Sequence, residues 1–175
     1  LEGEVFTRLS GYLDALLETN AQFNLTAVTN REEAWLKHIA DSLSLAPWLR
    51  DMATKKNLVD VGSGGGLPAL PLAIVFPERR FTLLESTGKK ARFLEKTSQK
   101  LGLTNVRVVS ERAETFGQGV GRERYDIATS RDVSRMPVLL ELTLPLVKVG
   151  GTSLCIKGEQ AELEVEEAAP ADRKS

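Results

Sequence analysis

The residues best placed to do chemistry cluster in one stretch, LVDVGSGGGLPALPLAIVFP, residues 58–77. Asp60 closes a short apolar run, and four glycines then fall within five residues, Gly62 and Gly64 to Gly66. Glycine supplies positive φ and lets a ligand approach the backbone closely. A helix opening after such a turn also favours negative charge at its N-terminus. Without a ligand, the same residues would make a tight strand-to-helix turn. Two registers are open. The dinucleotide fingerprint G-x-G-x-x-G/A fits Gly64 to Ala69, but it leaves Asp60 and Gly62 awkwardly placed. The other register, acid-x-G-x-G-x-G, runs from Asp60 to Gly66 and takes in both Asp60 and Gly62. Glu85 ends the next apolar run, FTLLES, at about the distance where an acid accepts ribose hydroxyls. Its two carboxylate oxygens match two neighbouring hydroxyls.

These residues need elements to hold them. Phe6, Leu9, Leu13, Leu16 and Leu17 recur at helical spacing, which predicts a helix over Val5–Asn20. Asn30 followed by Glu33 reads as an N-cap. The helix it opens carries Trp35, Leu36, Ile39 and Leu43 on its apolar face, and Pro47 falls near its end. Arg50 to Lys56 is a polar connector. Strands are expected at 58–61, 80–84, 106–109, 125–129 and 152–156. Helices are expected at 67–75, 89–101 and 136–144, with Pro68 in the first turn of the first of these. Ala113 and Glu114 fall in a short turn, and Gly150-Gly151 in another. Glu159 to Ala169 is an acidic helix or tail. Alternating strands and helices imply a parallel sheet covered on both faces. Residues 1–56 read as a helical cap on an α/β core at 57–175, the two making one compact domain.

Bulk properties narrow the class. The chain has 175 residues, ample for one hydrophobic core, and a net charge of −1 that argues neither for nor against a nucleic-acid partner. Cys155 is the one cysteine and His38 the one histidine, so an internal disulfide is ruled out and a zinc site is not expected. Cys155 reads as a buried, inert thiol. No apolar segment is long enough to span a bilayer and no signal peptide is evident, so a cytoplasmic location is expected.

With these pieces in place, the acid-x-G-x-G-x-G register looks like that of Rossmann-like S-adenosylmethionine-dependent methyltransferases. In that class the turn wraps the amino-acid half of the cofactor. More specifically, the chain resembles the bacterial small-subunit ribosomal RNA guanine-N7 methyltransferase family from about Asn20 to Gly158. The resemblance is carried by FNLTAV (23–28), KHIADSLSLAP (37–47), the glycine stretch with its two L-P pairs, and FTLLES with GKKARFL (88–94). SRDVSRMPVLLELTLPLVKVGG (130–151) and IKG (156–158) complete it. Two departures stand out. Asp132 replaces the alanine usual after the arginine, and Ala69 replaces a glycine. The family also continues past this point with strands that complete the sheet, so a truncated sheet is expected, or a final PADRKS not contiguous with what precedes it.

The resemblance implies S-adenosylmethionine as cofactor, held at Asp60, Gly62, Ser63, Gly64, Gly66 and Leu67. Glu85, Ser86 and Thr87 would serve the ribose, Ala113 and Glu114 the adenine edge, and Arg131 the cofactor or the target base. It implies 16S ribosomal RNA in the small subunit as partner and a monomeric enzyme. His38, in an H-x-x-D-S element with Asp41 and Ser42, would sit near the mouth of the site or simply pack. Asn24 reads as a structural cap. Lys89, Lys90 and Arg92, with His38 and Arg131, are the expected RNA contacts; Lys96 and Lys100 extend the same basic helix, which could equally be an ordinary solvated face. Guanine N7 attacks through an in-plane lone pair and needs no base, so no obligate catalytic acid or base is expected. Three other readings stay open: a methyltransferase for a small molecule or protein, a nicotinamide-dependent oxidoreductase using the Gly64–Ala69 register, and a non-catalytic RNA-binding protein.

Overall fold

The computed structural model describes residues 3–54 and 56–157. The acidic stretch expected at Glu159–Ala169, Gly158 and the PADRKS end lie outside the described residues. The chain opens with α1 (Gly3–Asn20), α2 (Arg31–Ala34), a π-helical segment (Trp35–Ala40), α3 (Asp41–Leu43) and α4 (Ala46–Asp51). Then follow β1 (Asn57–Val61), α5 (Ala69–Val75), β2 (Arg80–Leu84), α6 (Gly88–Lys100), β3 (Val106–Val109), α7 (Ala113–Gln118), β4 (Tyr125–Arg131), α8 (Met136–Thr143), a 3-10 turn (Leu144–Leu146) and β5 (Val147–Ile156).

The five strands are parallel in the order β3-β2-β1-β4-β5. The chain runs outward from β1 to β3, then returns to the other side of β1, so the order reverses between β1 and β4. Ligands of such sheets settle outside the carboxyl ends of the strands at that reversal. Alternation along the strands splits the core in two. Leu58, Phe81, Leu83 and Ile127 pack with α1, α5 and α6 on one face, while Val59, Val61, Leu84 and Ala128 pack with Phe116 and Leu146 on the other. Leu9, Tyr12, Leu13 and Leu16 of α1 are fully buried in the first of these cores, alongside Leu70, Leu72 and Phe93. The first helix is therefore part of the sheet's packing.

Several expectations change. Leu36 is 71% exposed, because the π-helical segment rotates it away from the apolar face. Pro47 opens the separate helix α4 instead of ending its predecessor, and that helix takes up part of the expected connector. Pro68 precedes α5 as its N-cap and follows Leu67 through a cis peptide bond. Ala113 and Glu114 begin a helix. Gly150-Gly151 is no turn between elements: β5 starts at Val147, and the glycines absorb a register shift against β4 with Gly150 at φ 76°. Cys155 is half-buried, with Sγ 3.6 Å from Ser153 Oγ. The Asn30 cap forms as expected, its Oδ1 accepting from Glu33 N–H at 3.0 Å.

Candidate cofactor and acceptor site

The glycine turn sits at the carboxyl end of β1, and its four glycines do different jobs. The N–H groups of Gly62 and Ser63 both donate to the Leu84 carbonyl, at 2.9 and 3.1 Å, tying the turn to β2. Gly62, Gly64 and Gly66 have φ of 68°, 55° and 94°, a region side chains strain to reach. A Cβ on Gly62 would meet Val133, one on Gly65 would meet Leu16, and one on Gly66 would meet Leu70 at 2.5 Å. Gly65 and Gly66 are buried, whereas Gly62 is exposed and lines the cavity described below. A Cβ on Gly64 would meet nothing nearer than the Gly62 carbonyl at 3.8 Å. Gly62 and Gly64 are thus the points where a ligand can reach the backbone of the turn.

Glu85 closes on this point. Its Oε2 accepts from Gly64 N–H at 2.8 Å and its Oε1 from Thr87 N–H at 2.7 Å. Each oxygen keeps a second lone pair, so the two N–H groups fix the carboxylate plane without saturating it. Beyond it, a cavity of about 160 Å³ is lined by Val61, Gly62, Leu84, Ser86, Ala113, Glu114 and Val133, among others. Apolar walls with polar groups at the rim suit a flat heterocycle. Ser86 and Thr87 are exposed, and Leu67 is half-buried against the core. Ser63 is turned inward, its hydroxyl donating to the Asp60 carbonyl at 3.1 Å.

Asp60 lies beneath the turn and is 1% exposed. Its Oδ1 accepts from Thr129 Oγ1 at 2.7 Å, while its Oδ2 has no hydrogen-bond partner. Burial pushes its carboxyl up to about 7, against the lowering effect of the hydroxyls of Ser63 and Thr129, and the Glu85 charge adds to the rise. Above it, the buried Tyr12 hydroxyl donates to the Gly65 carbonyl at 2.9 Å, so α1 props the turn from behind. Burial raises that phenol far above its ordinary range and keeps it neutral.

Arg131, at the end of β4, stands between two carboxylates. Its Nη1 is 3.6 Å from Asp41 Oδ2 and its Nε 3.6 Å from Asp132 Oδ2. Asp132 has φ 49°, and strained backbone of this kind gathers at functional sites. Together with Leu36, Lys37, Ile156 and Lys157, these residues line a second cavity of about 420 Å³ over the ends of β4 and β5. His38 sits behind Asp41, 3% exposed, with Nε2 2.7 Å from Thr26 Oγ1. Burial, reinforced by the Arg131 charge, lowers its pKa and holds the ring neutral. His38 belongs to the π-helical segment, a rare geometry found mostly at functional sites.

The basic helix α6 starts three residues after Glu85. Lys89, Arg92, Lys96 and Lys100 line a cavity of about 370 Å³ between α6 and α1, and Lys90 points elsewhere and is half-buried. The capping side chain of the N-L-T element is Asn20, whose Oδ1 accepts from the N–H groups of Leu25 and Thr26, and not Asn24. Sequence reasoning missed Tyr12, whose polar tip hides among the core positions of α1, and Val133, which only its fold neighbours reveal. Thr26 was legible only as part of a motif.

A family model described as rRNA small subunit methyltransferase G matches residues 6–173. Ribosomal RNA small subunit methyltransferase G of Sorangium cellulosum (strain So ce56) is 46% identical over 169 residues, covering 97% of this chain and 71% of the relative. The protein of the same name from Macrococcus caseolyticus (strain JCSC5402) is 47% identical over 156 residues, covering 89% and 65%. The chain thus spans about two thirds of the length of these relatives. Among solved structures, a SAM-dependent O-methyltransferase from Thermotoga maritima matches with TM-score 0.55 at 16% identity, over 91% of this chain and 55% of that one. Coclaurine N-methyltransferase bound to N-methylheliamine and SAH matches with TM-score 0.52 at 17% identity, over 65% and 34%. At such identities the likeness is one of fold.

Proposed function

The chain belongs to the rRNA small subunit methyltransferase G family, and on that premise we propose that it transfers a methyl group from S-adenosylmethionine to N7 of a guanine in 16S ribosomal RNA. The observation that carries the cofactor assignment is the pairing of Gly64 with Glu85. One open glycine, one oriented carboxylate with spare lone pairs and one narrow cavity stand in line along the ends of β1, β2 and β3. That row fits an amino-acid tail, a ribose and an adenine. The nicotinamide reading fares worse, because a pyrophosphate needs free N–H groups at the start of α5. Pro68 and Pro71 have none, and Leu70 N–H is already given to the Gly66 carbonyl at 2.7 Å.

When bound, the cofactor supplies an electrophilic methyl on a sulfonium. The residues of the chain do the rest by placement. Gly64, Glu85 and the cavity around Ala113 and Glu114 hold one reactant, with buried Asp60 beneath the turn. The acceptor base then enters over the ends of β4 and β5, into the cavity walled by Arg131, Asp41 and Asp132. Guanine N7 has no proton to lose, so rate enhancement rests on proximity and alignment. The two carboxylates beside Arg131 suit a ring that gains positive charge as it is methylated. Lys89 and Arg92 would meet RNA phosphates, with Arg131 nearer the base. His38, neutral and buried, positions the Asp41 segment without touching the reactants. On this reading the protein works in the cytoplasm as a monomer.

The test is transfer of radiolabelled methyl from S-adenosylmethionine to 16S RNA and to small ribosomal subunits, followed by chain cleavage at 7-methylguanine. One labelled guanine is expected. Label that appears on protein or small molecules and never on RNA would overturn the proposal in favour of another methyl acceptor.

A further inference from the structure

Helix α6 carries a row of charge that packing does not explain. Lys89, Arg92, Lys96 and Lys100 follow at spacings of three, four and four residues, so they share one face and rise in steps of roughly 4.5–6 Å. All four are exposed. Among the described residues none of them forms an ion pair. Like charges at i and i+4 destabilise a helix by a few tenths of a kcal/mol per pair. Arg92, Lys96 and Lys100 make two such pairs. The fold therefore carries a small cost along this face.

The row forms one wall of the cavity between α6 and α1. Its opposite wall is Glu18, Thr19 and Gln22, with the half-buried ring of Phe23 at the edge. Glu18 is the one anion in that lining. The groove has a direction. Its Lys89 end lies next to the glycine turn, since α6 begins three residues after Glu85, and its Lys100 end lies about 16 Å away along the helix.

We propose that this groove between α1 and α6 binds the sugar–phosphate backbone of single-stranded RNA leading to the target guanine, with Lys96 and Lys100 holding phosphates distant from the methyl-transfer site. The inference rests on the RNA reading above and deepens it. A strand is favoured over a duplex because a cavity of about 370 Å³ between two helices is far too small to take a duplex. RNA is favoured over an acidic peptide because the row of cations runs up to the turn that holds the methyl donor in the reading above. Phe23 adds a surface on which any base can stack.

The experiment is a salt titration of binding, using a fluorescent single-stranded fragment of 16S RNA that contains the methylated guanine. It compares the wild-type chain with the double variant Lys96→Ala/Lys100→Ala and with Glu18→Lys. Each phosphate contact contributes about 0.7 to the slope of log affinity against log salt. The double variant is expected to lose about 1.4 of slope and to bind at least tenfold more weakly near physiological salt. Its turnover at saturating RNA and its affinity for S-adenosylhomocysteine should be unchanged. Glu18→Lys is expected to bind more tightly with a steeper slope. If the wild type methylates RNA while both variants keep its slope and KM, the groove assignment is overturned and the proposed function stands. Poly-glutamate binding that is lost in the double variant, with RNA binding intact, would overturn it in favour of an acidic peptide. A wild type that methylates no RNA would overturn the underlying reading itself.

Discussion

The two edges of the sheet treat polar groups differently. At the amino edge most are paired, Ser98 Oγ being an exception. Asp126 accepts from Lys56 N–H, Asn57 N–H and Lys148 Nζ at 3.1, 2.9 and 2.9 Å. Asn105 Nδ2 donates towards the carbonyls of Ala73, Phe76 and Arg79, and buried Arg79 donates to those of Leu49 and Met52. At the carboxyl edge, Asp60 Oδ2, His38 Nδ1, Ser42 Oγ, Ser130 Oγ and Arg131 Nη1 are buried without a hydrogen bond. Buried polar atoms are normally paired, so a concentration of exceptions at one edge asks for a reason. The amino edge is a brace. The carboxyl edge is where the proposed cofactor and acceptor site lies.

That contrast can be broken or sharpened by substitution. The largest effect is expected at Gly64. A Cβ there makes only an ordinary contact with the Gly62 carbonyl, so Gly64→Leu should fold, at a backbone cost of about 1–2 kcal/mol, and lose methyl transfer by at least a hundredfold. Gly66→Ala, two residues on, should instead lower thermal stability first, since its Cβ would collide with Leu70 and Leu94. Activity and melting temperature measured on both variants check the division of labour. Asn105→Ala, at the amino edge, should cost about 2–3 kcal/mol in a denaturant titration, because three carbonyls lose their shared donor. Its activity per folded molecule should be unchanged.

Acid titration separates the edges by sign. Burial raises Asp60 from the ordinary carboxylate value to about 7. The folded state therefore holds a proton that the unfolded chain releases near pH 4, and stability falls as pH rises from about 4 to 7. Asp126 behaves oppositely. Its partial burial raises its pKa, but the N–H groups of Asn57 and Lys56 and the Lys148 ammonium outweigh that and lower it. Its contribution is present above the unfolded carboxylate pKa and lost as pH falls through the folded value. In denaturant midpoints measured against pH, Asp60→Asn should flatten the decline between pH 4 and 7, and Asp126→Asn should remove part of the loss below pH 4. The smallest effect is expected for Asp41→Ala. Its pair with Arg131 is partly exposed and 3.6 Å long, so stability should shift by less than about 1 kcal/mol. The RNA KM should move more than the melting temperature does.

Much of this was legible in the sequence. The strands β2 and β3 fall at the bounds expected, because the strands of a parallel sheet covered on both faces leave short apolar runs. The Asn30 cap was readable because capping is local. The glycine turn itself was readable, yet which of its glycines stays open was not, since that depends on Leu16, Leu70 and Leu94 arriving from elsewhere. Likewise, Asp126 and Asn105 gave no sign of bracing the amino edge, because their partners are 22 to 70 residues away. The π-helical segment carrying His38 also had no sequence signature, and it undid the helical face that placed Leu36 inside.

Thermal unfolding with and without S-adenosylhomocysteine tests the central claim most directly, on the wild-type chain, Gly64→Leu and Asn105→Ala. A ligand at a hundred times its Kd adds about 2.7 kcal/mol to stability, which raises a melting temperature by roughly 5–10 °C at this size. The wild type and Asn105→Ala should show that full rise, the latter from a lower starting point, and Gly64→Leu should show none. A wild type stabilised by NADH and not by S-adenosylhomocysteine, or a Gly64→Leu variant stabilised as much as the wild type, would contradict the account.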